Sequence, residues 1–280
     1  MTEKDFRKLI TDLETTKESK DAILEEINKL NIILKNNVKH FNVNIEGLYL
    51  ADSWGLHYEG QKELTVLLNA ECLNEKNFPL SNQGLINEVY NSLLYGLDIL
   101  KKSQIGYNEL DNSIYVYDGE VKVNLVLRFN KELEFQTDYF VSYDNLKDKF
   151  IKKASNEFNL FKNTIILIKS VVDENNIPLG AYEIALLLYY GLSINFTNHT
   201  YAVYIKEFIH AVDDFLKGVK IDQDDDTYRE LGITRTLTIK KGYTIVDVSN
   251  PSLNLTASVG EAFTNDLKKL KKILQKMLDN

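Results

Sequence analysis

Residues 114–127 read IYVYDGEVKVNLVL, and the organisation of the chain can be worked outward from them. Ile114 to Tyr117 and Val121 to Leu127 are rich in β-branched and aromatic residues, and they flank Asp118-Gly119. A type I′ turn needs positive φ at both central positions, which Asp-Gly tolerates, and its twist matches that of the strands it joins. Two antiparallel strands are the consequence.

Upstream, Leu64 to Leu68 is an almost continuous apolar run after Gly60, the pattern of a central strand buried on both faces. Before it, Val43 and Ile45 alternate with Asn42, Asn44 and Glu46, and the segment reads as a strand running into a turn at Gly47. Between Ser81 and Lys102, Leu85, Val89, Leu93, Leu97 and Leu100 recur at helical spacing, with Ser81 placed as an N-cap. At the N-terminus, Phe6, Leu9 and Leu13, then Ile23, Ile27 and Leu30, predict one or two amphipathic helices.

Beyond about Phe135 the strand signal fades. Phe158, Phe161, Ile165, Ile168 and Val172 predict a helix that ends before Asn175-Asn176-Ile177-Pro178, and another follows from Ala181 through Tyr190. Further helices are expected at Tyr201 to Leu216 and at Val259 to Leu278, the latter opened by a capping box at Ser258 and Glu261. Arg235 to Thr244 alternates as a short hairpin around Lys241-Gly242, and Asp222 to Asp226 reads as an acidic, exposed loop. The expected organisation is a helical lead-in over 1–40, an α+β segment over 41–135 and a mainly helical segment over 136–280.

Composition narrows the function classes. A net charge of −8 over 280 residues gives no overall attraction to nucleic acid phosphates or anionic membranes, so neither is expected as a partner. One cysteine, Cys72, excludes an intrachain disulfide framework, and His40, His57, His199 and His210 lack metal-ligand spacing. The N-terminus MTEKDFRKLITDLE is charged from its third residue, without the apolar core of a signal peptide, which predicts a cytoplasmic protein. Neither a Gly-x-Ser-x-Gly nor a Gly-x-x-x-x-Gly-Lys motif occurs, which argues against a nucleophile-elbow hydrolase and a P-loop enzyme.

The order of elements resembles the nucleotidyltransferase palm: a strand ending in glycine, a strand with acidic positions two apart, a helix, then a hairpin strand with a third acidic position. The resemblance spans nearly the whole chain and is strongest to the branch with oligoadenylate synthases, archaeal CCA-adding enzymes and bacterial cyclic-oligonucleotide synthases. It implies an α+β fold, a mixed sheet with helices followed by a mainly helical C-terminal domain. The family's Gly-Ser position falls at Gly47-Leu48, its Asp-x-Asp at Glu63-Leu64-Thr65, and its third carboxylate at Asn124. In FKNTIILIKS, Lys169 takes the place of a lysine that reaches the triphosphate. In LGAYEIALLL, Tyr182 matches a Ser-Tyr pair whose serine is replaced by Ala181. VDVSNPSLNL keeps Asp247, Pro251 and Asn254 of an Asp-Pro-x-x-x-x-Asn stretch.

The departures are chemical. Two-metal phosphoryl transfer needs several anionic oxygens converging on Mg²⁺ ions. Glu63 could supply one metal ligand, but Thr65 and Asn124 are neutral and Leu48 lacks a hydroxyl. The resemblance therefore implies an inactive or strongly altered nucleotidyltransferase that binds a nucleotide or a partner, with Gly47, Lys169 and Tyr182 lining a pocket for ATP or GTP with Mg²⁺ if the cleft is functional. The alternative is an active enzyme with rearranged ligands, transferring a nucleotide to RNA, protein or another nucleotide through Glu63 and Lys169, with Glu46, Asp52, Glu59 or Glu71 as substitute carboxylates. The residues also read in a plainer way: Gly47 as a turn glycine, and Lys162 and Lys169 as solvated lysines with buried stems.

Overall fold

The computed structural model of the chain describes residues 1–37, 43–50, 58, 63–72, 90–91, 105–108, 113–118, 121–129, 138–195, 199–233, 243–256 and 261–280. The N-terminal segment forms two helices, α1 (Glu3–Leu13) and α2 (Lys17–Asn37), which part company. One compact unit comprises Thr15–Ser142; the other comprises Met1–Glu14 with Tyr143–Asn280.

The first unit contains α2 and five strands: β1 (Val43–Leu50), β2 (Glu63–Cys72), β3 (Ile105–Asn108), β4 (Ser113–Asp118) and β5 (Val121–Phe129). Their order in the sheet is β1-β2-β5-β4-β3. Only β2 and β5 run parallel, and the other neighbours are antiparallel, so the sheet is mixed. Two parallel neighbours need a long crossover, whereas β4 and β5 form the hairpin expected from the sequence. Asp118 faces Val121 in that hairpin, which makes it the last strand residue instead of a turn centre.

β1 does not end at Gly47 but continues to Leu50. Ile45 pairs with Ala70 and Gly47 with Asn69, so Glu46 is an extra residue in a β-bulge, a setting in which glycine is common. β3 is a short edge strand with little sequence signal; its Gly106 leaves room for the Tyr115 ring, which a Cβ there would strike. Of the helix expected between Ser81 and Lys102, only Tyr90 and Asn91 are described, and both are helical.

The second unit adds to α1 the greater part of α3 (Asp138–Glu157), then α4 (Phe161–Glu174), α5 (Ala181–Asn195), α6 (Tyr201–Leu216), α7 (Asp225–Glu230), a hairpin of β6 (Val246–Asp247) and β7 (Asn250–Asn254), and α8 (Glu261–Asp279). Phe158 lies in the connection between α3 and α4 and is not part of the helix it was expected to open. α4 ends where the sequence places its end. Asn176 adopts a left-handed φ of 53°, and the Ile177 N–H returns to the Val172 carbonyl at 3.0 Å. The Asp222–Asp226 run is not simply a loop. Asp224 caps α7 by accepting the Thr227 N–H at 2.6 Å, and Asp225 and Asp226 sit in its first turn, where carboxylates meet the positive end of the helix dipole. The hairpin expected around Lys241-Gly242 has its centre outside the described residues.

Tyr189 sits in the core of this unit. Phe150 and Phe158 meet its ring edge-on at 5.2 and 5.6 Å. Its hydroxyl accepts from Lys153 at 2.9 Å, donates to Glu157 at 3.0 Å and lies 3.2 Å from the Thr227 hydroxyl. Burial opposes the charge on Lys153, but bonds to Tyr189, Glu157 and Glu230 outweigh it and hold the ammonium above its ordinary pKa. α5 and α6 approach so closely at Gly191 that any Cβ there would strike the Glu207 carbonyl. Phe263, Leu267, Leu270 and Leu274 form the buried stripe of α8. Among the described residues, no helix is long and apolar enough to cross a membrane.

Candidate functional site

Strand alternation assigns the sheet positions to two faces. Val66, Val123, Leu125, Ile114 and Val116 are all buried and mark one face as core. The positions of opposite parity share the other face. In the parallel pairing of β2 with β5, position 65 lies directly opposite position 124 and position 63 opposite position 122. Glu63, Thr65 and Asn124 therefore occupy neighbouring places on one face, and a lysine, Lys122, stands beside the one acidic place among them. Gly47 pairs with Asn69 further along β2. Of the substitute carboxylates, Glu46 is the bulge residue of β1 and Glu71 pairs with Asn44, while Asp52 and Glu59 lie outside the described residues.

The other two candidate residues belong to the helical unit. Tyr182 opens α5, and its hydroxyl donates to Asp247 of β6 at 2.9 Å. The same carboxylate oxygen accepts from the backbone and hydroxyl of Ser249 at 2.8 and 2.6 Å. Tyr182 and Asp247 are only 7% and 2% exposed. The Lys147 ammonium of α3 lies 4.0 Å from the second Asp247 oxygen and 5.0 Å from the Tyr182 ring centroid, a cation over an aromatic ring. Burial first, and the Asp247 charge next, push the Tyr182 hydroxyl well above its ordinary pKa.

Lys169 of α4 bonds Asp173, one turn on, at 2.6 Å, with the two side chains 9% and 17% exposed. It is not a solvated lysine. Glu183 of α5 is half-buried. Burial raises its carboxyl above the usual range, Lys147 and Lys169 pull it down, and Asp247 pushes it up. The structure thus gathers Lys147, Tyr182 and Asp247 into one charged cluster, while Lys169 pairs with Asp173. Lys147 is the member that sequence reading does not single out, because DNLKDKF looks like an ordinary helix segment.

Among the described residues, no group of three histidine, cysteine or acidic side chains is placed to hold a metal ion. By sequence, the neighbouring sheet positions 63, 65, 124 and 122 bring one carboxylic acid, one hydroxyl, one amide and one amine.

No family model matches the chain. Among curated proteins, Mediator of RNA polymerase II transcription subunit 17 of Saccharomyces cerevisiae (strain ATCC 204508 / S288c) is 26% identical over 190 residues, 66% of this chain. The chain covers only 27% of that protein's length. Solved structures are more informative. The fold is similar to that of CdnC from E. coli MS115-1, solved with ATP, at a TM-score of 0.67 and 14% identity over 100% of this chain and 91% of that one. It is similar to the CdnE cyclic dinucleotide synthase of Elizabethkingia meningoseptica, solved with GTP and Apcpp, at 0.59 and 13% over 100% of both chains. A cytoplasmic RNA terminal U-transferase matches at 0.54 and 10% over 99% of this chain and 94% of that one. The order and pairing of the strands, the helices that follow and these likenesses together establish that the chain has the nucleotidyltransferase fold.

Proposed function

We propose that this chain is a catalytically inactive nucleotidyltransferase-like protein that acts by binding a nucleotide or a protein partner. The observation that carries the reading is the register of β2 on β5, which makes Glu63, Thr65 and Asn124 neighbours on one sheet face with Lys122 beside them. On the resemblance, this is the face that would hold two Mg²⁺ ions. Such ions need converging anionic oxygens, whereas Thr65 and Asn124 are neutral and the one acidic position, Glu63, pairs with Lys122. No step of phosphoryl transfer is assigned to these residues.

Binding remains as the use of the fold. Lys169, at the triphosphate position of the resemblance, supports the nucleotide arm of the proposal. A solved complex of E. coli MS115-1 CdnC with HORMA-deltaN, at a TM-score of 0.65 and 15% identity, is a precedent for the partner arm, by analogy of fold alone. Calorimetric titration with ATP and GTP, with and without Mg²⁺, separates the arms. A saturable heat supports nucleotide binding, and its absence leaves the protein partner. A continuing heat of nucleotide turnover after saturation would overturn the reading.

A further inference from the structure

The lysine at the triphosphate position is already engaged. Its ammonium lies 2.6 Å from an Asp173 carboxylate oxygen, within the range of a strong charge-assisted bond. Many i,i+4 pairs on this chain are solvated, as in Lys152 with Asp148 and Lys29 with Glu25, whose lysines are 67% and 55% exposed. The Lys169 pair is largely withdrawn from solvent, with side chains 9% and 17% exposed, and its order along the helix, cation before anion, is the less favoured one. A carboxylate oxygen and a phosphate oxygen offer an ammonium the same kind of acceptor.

The surroundings add to this. Glu183 feels both Lys147 and Lys169, and Asp247 is bonded to Tyr182 beside Lys147. Among the described residues, Asp173 pairs with Lys169 and Asp247 lies near Lys147. A polyphosphate oxygen reaching Lys169 would meet the Asp173 carboxylate in a partly buried place, where screening is weak.

We propose that Asp173 occupies, within the same helix, the place of a phosphate oxygen on Lys169, an autoinhibitory contact that suppresses nucleotide affinity. The inference rests on the nucleotide arm of the proposed function, that is, on Lys169 marking a phosphate position. Neutralising Asp173 frees the ammonium and removes one repelling charge.

The test is the affinity of the full chain for ATP and for inorganic tripolyphosphate, measured by calorimetry for the wild type, Asp173→Asn, and the double variant Asp173→Asn with Lys169→Met. Asp173→Asn should bind both probes at least about tenfold more tightly than the wild type, the factor expected for one charge-assisted bond released to the ligand, and the double variant should lose the gain. Equal, Lys169-dependent affinities for wild type and Asp173→Asn would overturn the autoinhibitory contact while leaving Lys169 as a phosphate group's partner. Binding by neither protein would overturn both the contact and the phosphate reading of Lys169. Circular dichroism establishes that each variant is folded; if Asp173→Asn is not, the same comparison is made with Asp173→Ser.

Discussion

Removing the hydroxyl of Tyr182 tests whether that residue is held as the structure describes. It donates at 2.9 Å to Asp247, and both side chains are buried. A hydrogen bond to a charged group contributes about 1.5–3 kcal/mol, so Tyr182→Phe should cost an amount in that range. Asp247→Ala should cost more, about 3–5 kcal/mol, because it also strips the buried Ser249 backbone and hydroxyl of their acceptor. The double variant should cost less than the sum, by roughly the value of the shared bond, 1.5–3 kcal/mol. The assay is urea unfolding followed by the helical circular dichroism signal, with midpoints compared at unchanged m. A coupling below about 0.5 kcal/mol would refute the reasoning, since the bond would then be no better than the water it displaces. The outcome also bears on Tyr182 as a ligand contact, because a ring this buried and overlain by Lys147 has little face left for a base.

Three further perturbations follow from the packing and the charges. Gly191→Leu drives a side chain into the Glu207 carbonyl where α5 crosses α6, and should cost at least about 1–3 kcal/mol, read as a lowered Tm. Glu183→Gln should raise stability at neutral pH. Burial lifts the carboxyl above its usual value of 4.5, so the folded state binds the proton more tightly, and the stabilisation this gives below pH 4.5 is lost as pH rises through the folded pKa. The gap in Tm between Glu183→Gln and wild type should be wide at pH 7.5 and close below about pH 4, and a gap independent of pH would contradict it. Tyr189→Phe leaves the buried Thr227 hydroxyl without its bond and Lys153 with carboxylates alone, which should cost about 1–3 kcal/mol. A cost indistinguishable from zero would mean that water replaces the hydroxyl.

The hairpin through residue 118, the strand around Leu64 and the stripes of α4 and α8 are legible because each is a local period backed by a turn or a cap. What the sequence hides are elements made by tertiary context. β1 reads as ending at Gly47 because glycine usually breaks a strand, yet pairing with β2 carries it to Leu50 through a bulge. β7 contains Pro251, which argues against a strand until an edge position tolerates it, and β6 is only two residues long. α7 hides in an acidic run whose charges look solvated but serve as cap and first turn. Of the candidate site, the sequence names Glu63, Thr65 and Asn124, but their adjacency depends on a parallel register with no local signature. Lys169 reads as solvated because its burial comes from the helices packed around it, and Asp173 gains its meaning only from that burial.

Whether the fold persists without phosphoryl-transfer chemistry is decided by pyrophosphate release. The wild-type chain and Glu63→Gln are incubated with labelled ATP and GTP, with Mg²⁺ or Mn²⁺, and with RNA, protein and nucleotide acceptors. Release no greater than in protein-free controls is expected for both proteins under every condition. Release by the wild type that disappears in Glu63→Gln would contradict it and place a rearranged, working metal site on the β2 and β5 face.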